Sequence, residues 1–181
     1  DLIARSLKSP EDICMYEKYF DVLKEAGADL ALQIDVSKIV IAPWTIYKCK
    51  FGCPRYGAYY CCPPNTPTWR DTEGMLKCFN SAILFRCHDF TKLTDIAQAG
   101  SRALFLDGYY KVIAYGGSHC TLCEVCGRDH CNHPGRPLPS MEACGIDVFG
   151  TVRACGLEPA PFAGSKEDDA GHDYYGLLLV E

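Results

Sequence analysis

Three cysteines, Cys120, Cys123 and Cys126, stand at intervals of three residues, and a fourth, Cys131, follows after a gap of four. Thiolates spaced this way in a tight irregular turn can reach the corners of one inorganic cube, as in the run with which bacterial-type ferredoxins hold most of a [4Fe–4S] cluster. Zinc sites more often use two separated CxxC pairs, or one CxxC with a distant pair of histidines. The triple therefore points to iron–sulfur rather than zinc. Cys131 departs from the ferredoxin run in two ways: its gap is one residue longer, and Pro134 comes three positions after it instead of immediately. In two-cluster ferredoxins the fourth cysteine serves the other cluster, so that assignment of Cys131 stays open. His130 and His133 flank it and are read as hydrogen-bonding neighbours rather than ligands.

A second set lies upstream in "CKFGCPRYGAYYCCPP", with Cys49, Cys53, Cys61 and Cys62. Cys62-Pro63 has the form of a ferredoxin motif's end, where proline turns the chain away. Cys49-x3-Cys53 matches the start of a radical-SAM motif, but the third cysteine would fall at Tyr56, and that chemistry is rejected. Gly52 and Gly57 allow close backbone approach, and their amides are candidate donors to sulfur. Trp44, Tyr56, Tyr59, Tyr60 and Trp69 are candidates to wall the site from water, with ordinary packing as the plainer reading of each. Cys144 follows closely on the Cys120 run and is either a further ligand or an inert buried thiol. Cys14, Cys78, Cys87 and Cys155 fall inside expected helices or strands and are assigned to the core.

Thirteen cysteines in 181 residues is an odd number in a chain long enough for a core of its own. Secreted disulfide scaffolds are small and core-poor, whereas clustered thiols in a reducing cytosol are metal ligands. "DLIARSLKSPED" contains no signal-peptide core. The expectation is a cytoplasmic protein. A net charge of −5 lacks the basic excess of a nucleic-acid binder. No apolar run approaches the roughly 18 residues of a membrane span. No dinucleotide fingerprint, phosphate loop or nucleophile elbow is present.

The elements that must position these thiols can be read from periodicity. Ser9-Pro10-Glu11-Asp12 reads as a helix start, Ile13, Tyr16, Phe20 and Leu23 as one face, and Gly27 as the stop. Leu30, Leu32, Ile34 and Val36 alternate as a strand, with a second candidate at Ile39-Val40-Ile41. "KCKFGCPRYGAYYCCPPNTPTW" reads as an ordered loop without regular structure. Thr68 to Phe79 reads as a short helix, Ser81 to Cys87 as a central strand, and Lys92 to Tyr115 as one long helix ended by Gly116-Gly117. Ser140 caps a helix whose stripe is Met141, Cys144, Val148, Val152 and Cys155, closed by Gly156. Tyr174 to Val180 is a last strand. The expected fold is α/β or α+β: one domain over residues 1–181, a small sheet flanked by helices and interrupted by cluster-binding loops at about 49–64 and 119–144. The second loop is ferredoxin-like.

Three phrases, "KCKFGCPRYGAYYCCPP", "LDGYYKVIAYGGSHCTLCEVC" and "HPGRPLPSMEACGIDVFGTV", together resemble a family of predicted metal-binding proteins of anaerobic bacteria and archaea that is classed as a domain of unknown function. The resemblance runs from about Cys49 to Gly156. It implies cysteine-bound metal, iron–sulfur in kind, in the cytoplasm of an anaerobe, and it names no reaction. The matching positions are Cys49, Cys53, Cys62, Cys120, Cys123, Cys126, Cys131 and Cys144, with Cys61 an extra. These eight cysteines equal two [4Fe–4S] clusters at four ligands each. The simplest partition gives Cys120, Cys123, Cys126 and Cys131 to one cluster and Cys49, Cys53, Cys62 and Cys144 to the other. Exchange of Cys131 with Cys144 or Cys62 is the ferredoxin-like alternative.

Three functions follow. The leading one is electron transfer to or from a redox partner protein, with neither nucleic acid nor membrane involved. The second is an enzyme whose cluster has only three cysteine ligands, leaving an iron open for Lewis-acid or sulfur chemistry, assisted by Glu142, Asp147, His119 or His133. The third is a zinc-stabilised interaction module.

Overall fold

A computed structural model describes residues 16–117, 119–160 and 172–181. The helix start at Ser9 and the assignment of Cys14 to the core lie outside the described residues. Four strands, β1 (Leu30–Asp35), β2 (Ser81–Cys87), β3 (Val112–Tyr115) and β4 (Tyr174–Val180), form one sheet in the order β1-β2-β4-β3. Every neighbouring pair is antiparallel. Among the described residues five helices accompany them: α1 (Glu17–Glu25), α2 (Trp44–Gly52), α3 (Trp69–Leu76), α4 (Leu93–Leu106) and α5 (Val148–Ala154). The fold is mixed helix and sheet, as expected.

Alternation along the two inner strands creates two cores, one on each face of the sheet. Ile83, Phe85, Leu178 and Val180 face α1 and α4, meeting Tyr19, Leu23, Ile96 and Leu104. Ala82, Leu84, Leu177 and Leu179 face the other way, toward Leu76, Met141, Ile146, Val148 and Val152. Both faces are therefore covered, which is why β2 and β4 read as unbroken apolar runs. No described helix is long and apolar enough to cross a membrane.

Four expectations about regular structure are corrected. The long helix from Lys92 stops at Leu106, because Asp107-Gly108 turns the chain with Gly108 at φ +99°, and Val112–Tyr115 then pairs with β4. The first cysteine segment is not wholly irregular: α2 runs through Cys49 to Gly52. The Ile39–Ile41 strand is absent. A 3-10 turn, Val36–Lys38, is capped by Asp35, whose carboxylate accepts from the Ser37 amide at 2.9 Å, and only Ile41 makes a bridge, to Ile146. The Ser140 helix is broken in two: a 3-10 turn, Glu142–Cys144, ends at left-handed Gly145, and α5 starts afresh from Asp147. The helix after Thr68 is present and carries a full capping box between Thr68 and Asp71.

Candidate metal centre

The second cysteine segment leaves the sheet at the end of β3 and returns at Ser140. A bridge between Gly116 and Ser140, with the Gly116 amide donating to Pro139 at 3.0 Å, closes it at its base. A side chain on Gly117 would meet Leu93 Cβ at 3.0 Å, so glycine is needed where this base presses on α4. Between these ends no described residue is helical or in a strand. Cys120, Cys123 and Cys126 are each half-buried while Thr121, Leu122, Glu124 and Val125 are exposed. The three-residue spacing thus turns each thiol inward and the two residues between it outward. All four cysteines of the run line one hollow of about 10 Å³, with Tyr59 and Tyr60 from the first segment. The Tyr60 amide donates to Cys126 Sγ at 3.2 Å and the His133 amide to Cys131 Sγ at 3.3 Å. Backbone amides thus already point at two of the four sulfurs.

The first group is built differently. Pro43 starts α2, and the Thr45 hydroxyl donates back to the Ala42 carbonyl at 3.1 Å. Cys49 lies in the last turn and Cys53 at the C-cap, one helical turn apart on the same face. With Cys62 they line a cavity of about 560 Å³ between α2, the 142–144 turn and the start of α5. Trp44, Tyr56, Pro63 and Phe149 give it apolar walls, and Lys48, Arg55, His119, Glu142 and Asp147 also face it. A second cavity of about 370 Å³ shares Arg55, His119 and Glu142 with it and reaches toward Asp173 and Tyr174.

Cys61 joins the two groups. The Cys62 thiol donates to the Cys61 sulfur, which holds Cys61 below the usual thiol range and drives Cys62 above it. The Cys120 amide also donates to Cys61. Asn65 Nδ2 reaches the Arg128 carbonyl at 3.2 Å, and the Tyr59 and His119 rings lie 5.0 Å apart. The two segments are one packed unit.

Burial raises Cys49, with Cys53 and Glu142 adding to the rise and Lys48 opposing it. Burial likewise raises Cys120, and pushes Cys144 up to about 12. These thiols are protonated at neutral pH, so a metal binding them would displace protons. Glu142 opens to the water of the cavity but is crowded by protein on its other sides, and that crowding lifts its carboxyl above the usual range. Burial and then Arg55 depress His119, leaving its imidazole neutral.

Cys120, Cys123, Cys126 and Cys131 share one hollow; Cys49, Cys53 and Cys62 share the other cavity. Cys144 is fully buried in the core against the sheet and lines neither. Cys87 is core, Cys155 packs at its edge, and Cys78 is exposed, because α3 ends before it. Of the five aromatics, Trp44 and Tyr56 line the cavity, Tyr59 and Tyr60 the hollow, and Trp69 packs instead beside Gly145. His119, Glu142 and Asp147 all reach the cavity; His133 is at the hollow. Lys48 and Arg55 were not legible as site residues, since nothing in their spacing differs from that of surface cations.

Among the described residues no group of three or more His, Cys, Asp or Glu side chains is gathered so as to hold a metal ion. A cluster asks for something else, because each thiolate meets its own iron rather than a shared ion. The donor set fits such a group: only thiols surround the hollow as potential soft ligands apart from His130 and His133, and backbone amides already serve their sulfurs.

No curated protein and no solved structure matches the chain. Residues 32–180 match the family described as predicted metal-binding protein (DUF2284), a span that includes both cysteine groups, Cys61 and Cys144. The chain belongs to this family of predicted metal-binding proteins.

Proposed function

We propose that the chain is a cytoplasmic iron–sulfur protein that carries two [4Fe–4S] clusters and transfers electrons to or from a redox partner protein. Cys120, Cys123, Cys126 and Cys131 hold one cluster; Cys49, Cys53 and Cys62 supply the protein ligands that face the other's cavity. The observation that carries the reading is the position of Cys61, buried beside Cys62 on one side and the Cys120 amide on the other. Two cysteine groups in such proximity suit a relay, since electron tunnelling falls off steeply with distance. Tyr59 and Tyr60 cover the second group, and exclusion of water tunes a cluster's potential. The net charge of −5 favours a partner with a basic docking face.

The test is iron and sulfide analysis of anaerobically purified protein, with electron paramagnetic resonance of the reduced sample. About eight irons with matching sulfide, and a brown protein, are expected for two cubanes. Colourless protein that retains only zinc would overturn the redox reading in favour of a metal-stabilised interaction module.

A further inference from the structure

The cavity at Cys49, Cys53 and Cys62 has features that an electron relay does not require. Its volume of about 560 Å³ is that of a small-molecule site, against about 10 Å³ for the hollow at the other group. Three thiols line it, not four. Cys144 is fully buried in the core, near enough to Cys61 to feel its charge but outside the lining, and it is Glu142 and Ala143 of the 142–144 turn that face the cavity. Cys61 is buried and occupied by Cys62 and the Cys120 amide.

The charged groups around the cavity are unequal in their commitments. Asp147 caps α5, accepting from the Gly150 amide at 2.9 Å. Among the described residues neither Lys48 nor Arg55 makes an ion pair, although Lys48 is near enough to Glu142 to influence it and Arg55 near enough to His119. Two cations without an ion pair therefore border a chamber that also carries the Glu142 and Asp147 carboxyls, the first crowded and the second turned to an α5 amide, and in which Trp44, Tyr56 and Phe149 offer surface to a carbon skeleton. A small anion carrying carbon is the ligand such a chamber suits.

We infer that this cavity binds a small carboxylate, its charge met by Lys48 and Arg55 and a second oxygen or sulfur donor directed to the metal position that Cys49, Cys53 and Cys62 leave without a protein ligand. The inference rests on the iron–sulfur reading above. It makes Cys144 a packing residue and the first centre the ligand-binding end of the relay.

The experiment uses the full chain, loaded anaerobically, with 2-mercaptosuccinate as probe and succinate as a control that lacks the thiol donor. Iron content, the paramagnetic resonance spectrum of the reduced protein and calorimetric affinity are read in the wild type and in Lys48→Met, Arg55→Met, Cys144→Ala and Cys49→Ala. Mercaptosuccinate is expected to change the spectrum and to bind at least tenfold more tightly than succinate. Lys48→Met and Arg55→Met are expected to weaken mercaptosuccinate binding tenfold or more with iron content unchanged. Cys144→Ala should retain the wild-type iron, while Cys49→Ala should lose about half of it. A spectrum indifferent to mercaptosuccinate in protein that carries about eight irons overturns the inference and leaves the two-cluster reading standing. Loss of half the iron in a Cys144→Ala protein of wild-type circular dichroism also overturns it. Wild type without iron and sulfide removes both.

Discussion

Gly145 offers a direct test of how the cavity is held in shape. It sits at φ +87°, where an L side chain is strained, and a Cβ built on it would meet Trp69 Cα at 2.8 Å and Trp69 Cβ closer still. Its carbonyl accepts from the Ala42 amide at 2.8 Å, immediately before α2, so the same residue ties the 142–144 turn to the helix bearing Cys49. Gly145→Ala combines a left-handed backbone cost of about 1–2 kcal/mol with an overpacking cost of about 1–3 kcal/mol. Gly156 is the internal control: it has φ +79° but nothing within 4 Å of a built Cβ, so Gly156→Ala carries only the first cost. At about 3 °C per kcal/mol for a chain of this size, Gly145→Ala is expected to lower Tm by roughly 10 °C and Gly156→Ala by roughly 4 °C. Alkylation of Cys49, Cys53 and Cys62 should accelerate in Gly145→Ala relative to the Cys120 group. Equal Tm shifts in the two variants, with unchanged alkylation, would refute the role given to the Trp69 contact.

Other consequences follow from the two cores and the charged end of the sheet. Leu178 is fully buried between β2, β3 and α4, and Leu178→Ala should cost about 2–5 kcal/mol in denaturant titration. Asp29 is partly desolvated, which acts to raise its carboxyl, but its bonds to Arg86 outweigh this and hold it below the usual range. A depressed carboxyl contributes stability above its unfolded pKa and loses it as pH falls through the folded value, so Asp29→Asn should cost about 1 kcal/mol at pH 7 after solvent screening, and the gap from wild type should close in acid. Removal of metal should leave far-ultraviolet circular dichroism nearly unchanged, because neither core depends on the Cys120 run, yet expose the segment between Gly117 and Ser140 to proteolysis.

Where the sequence told most, the governing interactions were local. Thr68 and Asp71 bond each other within one turn, and the apolar runs in Ser81 to Cys87 and Tyr174 to Val180 need only a sheet covered on both faces. The inward turn of Cys120, Cys123 and Cys126 is local in the same way. Failures came where a distant partner decided. Val112–Tyr115 continues an apolar pattern that serves a helix equally well, and only pairing with Leu177 to Val180 makes it a strand. α2 gave no amphipathic signal because Trp44, Tyr47 and Phe51 are exposed on it and its apolar residues are spread around the axis. The cavity belongs to no segment, being formed where α2 meets a turn some ninety positions later in the chain. Cys61 looked superfluous beside Cys62-Pro63, and its value lies in the Cys120 amide, which no spacing rule connects to it.

The two cysteine groups, though neighbours, present opposite surroundings, and that asymmetry bears on direction. At the Cys120 group the thiols close around a hollow of about 10 Å³, about the least that holds one water, under two tyrosines and with amides already directed at sulfur. A cluster there would have to spread the Cys120 segment to enter, and once in place it would be walled by the four cysteines and the two tyrosines, an enclosure suited to passing charge. At Cys49, Cys53 and Cys62 the thiols border open volume, with cations beside it and a crowded carboxyl in Glu142. A redox centre that can also take a ligand needs such a chamber, and it needs a protected neighbour to supply or remove electrons. On the proposed reading the partner protein therefore docks on the Cys120 side, where Leu122 and Val125 stand exposed between the inward cysteines, and the small molecule enters from the side of α2.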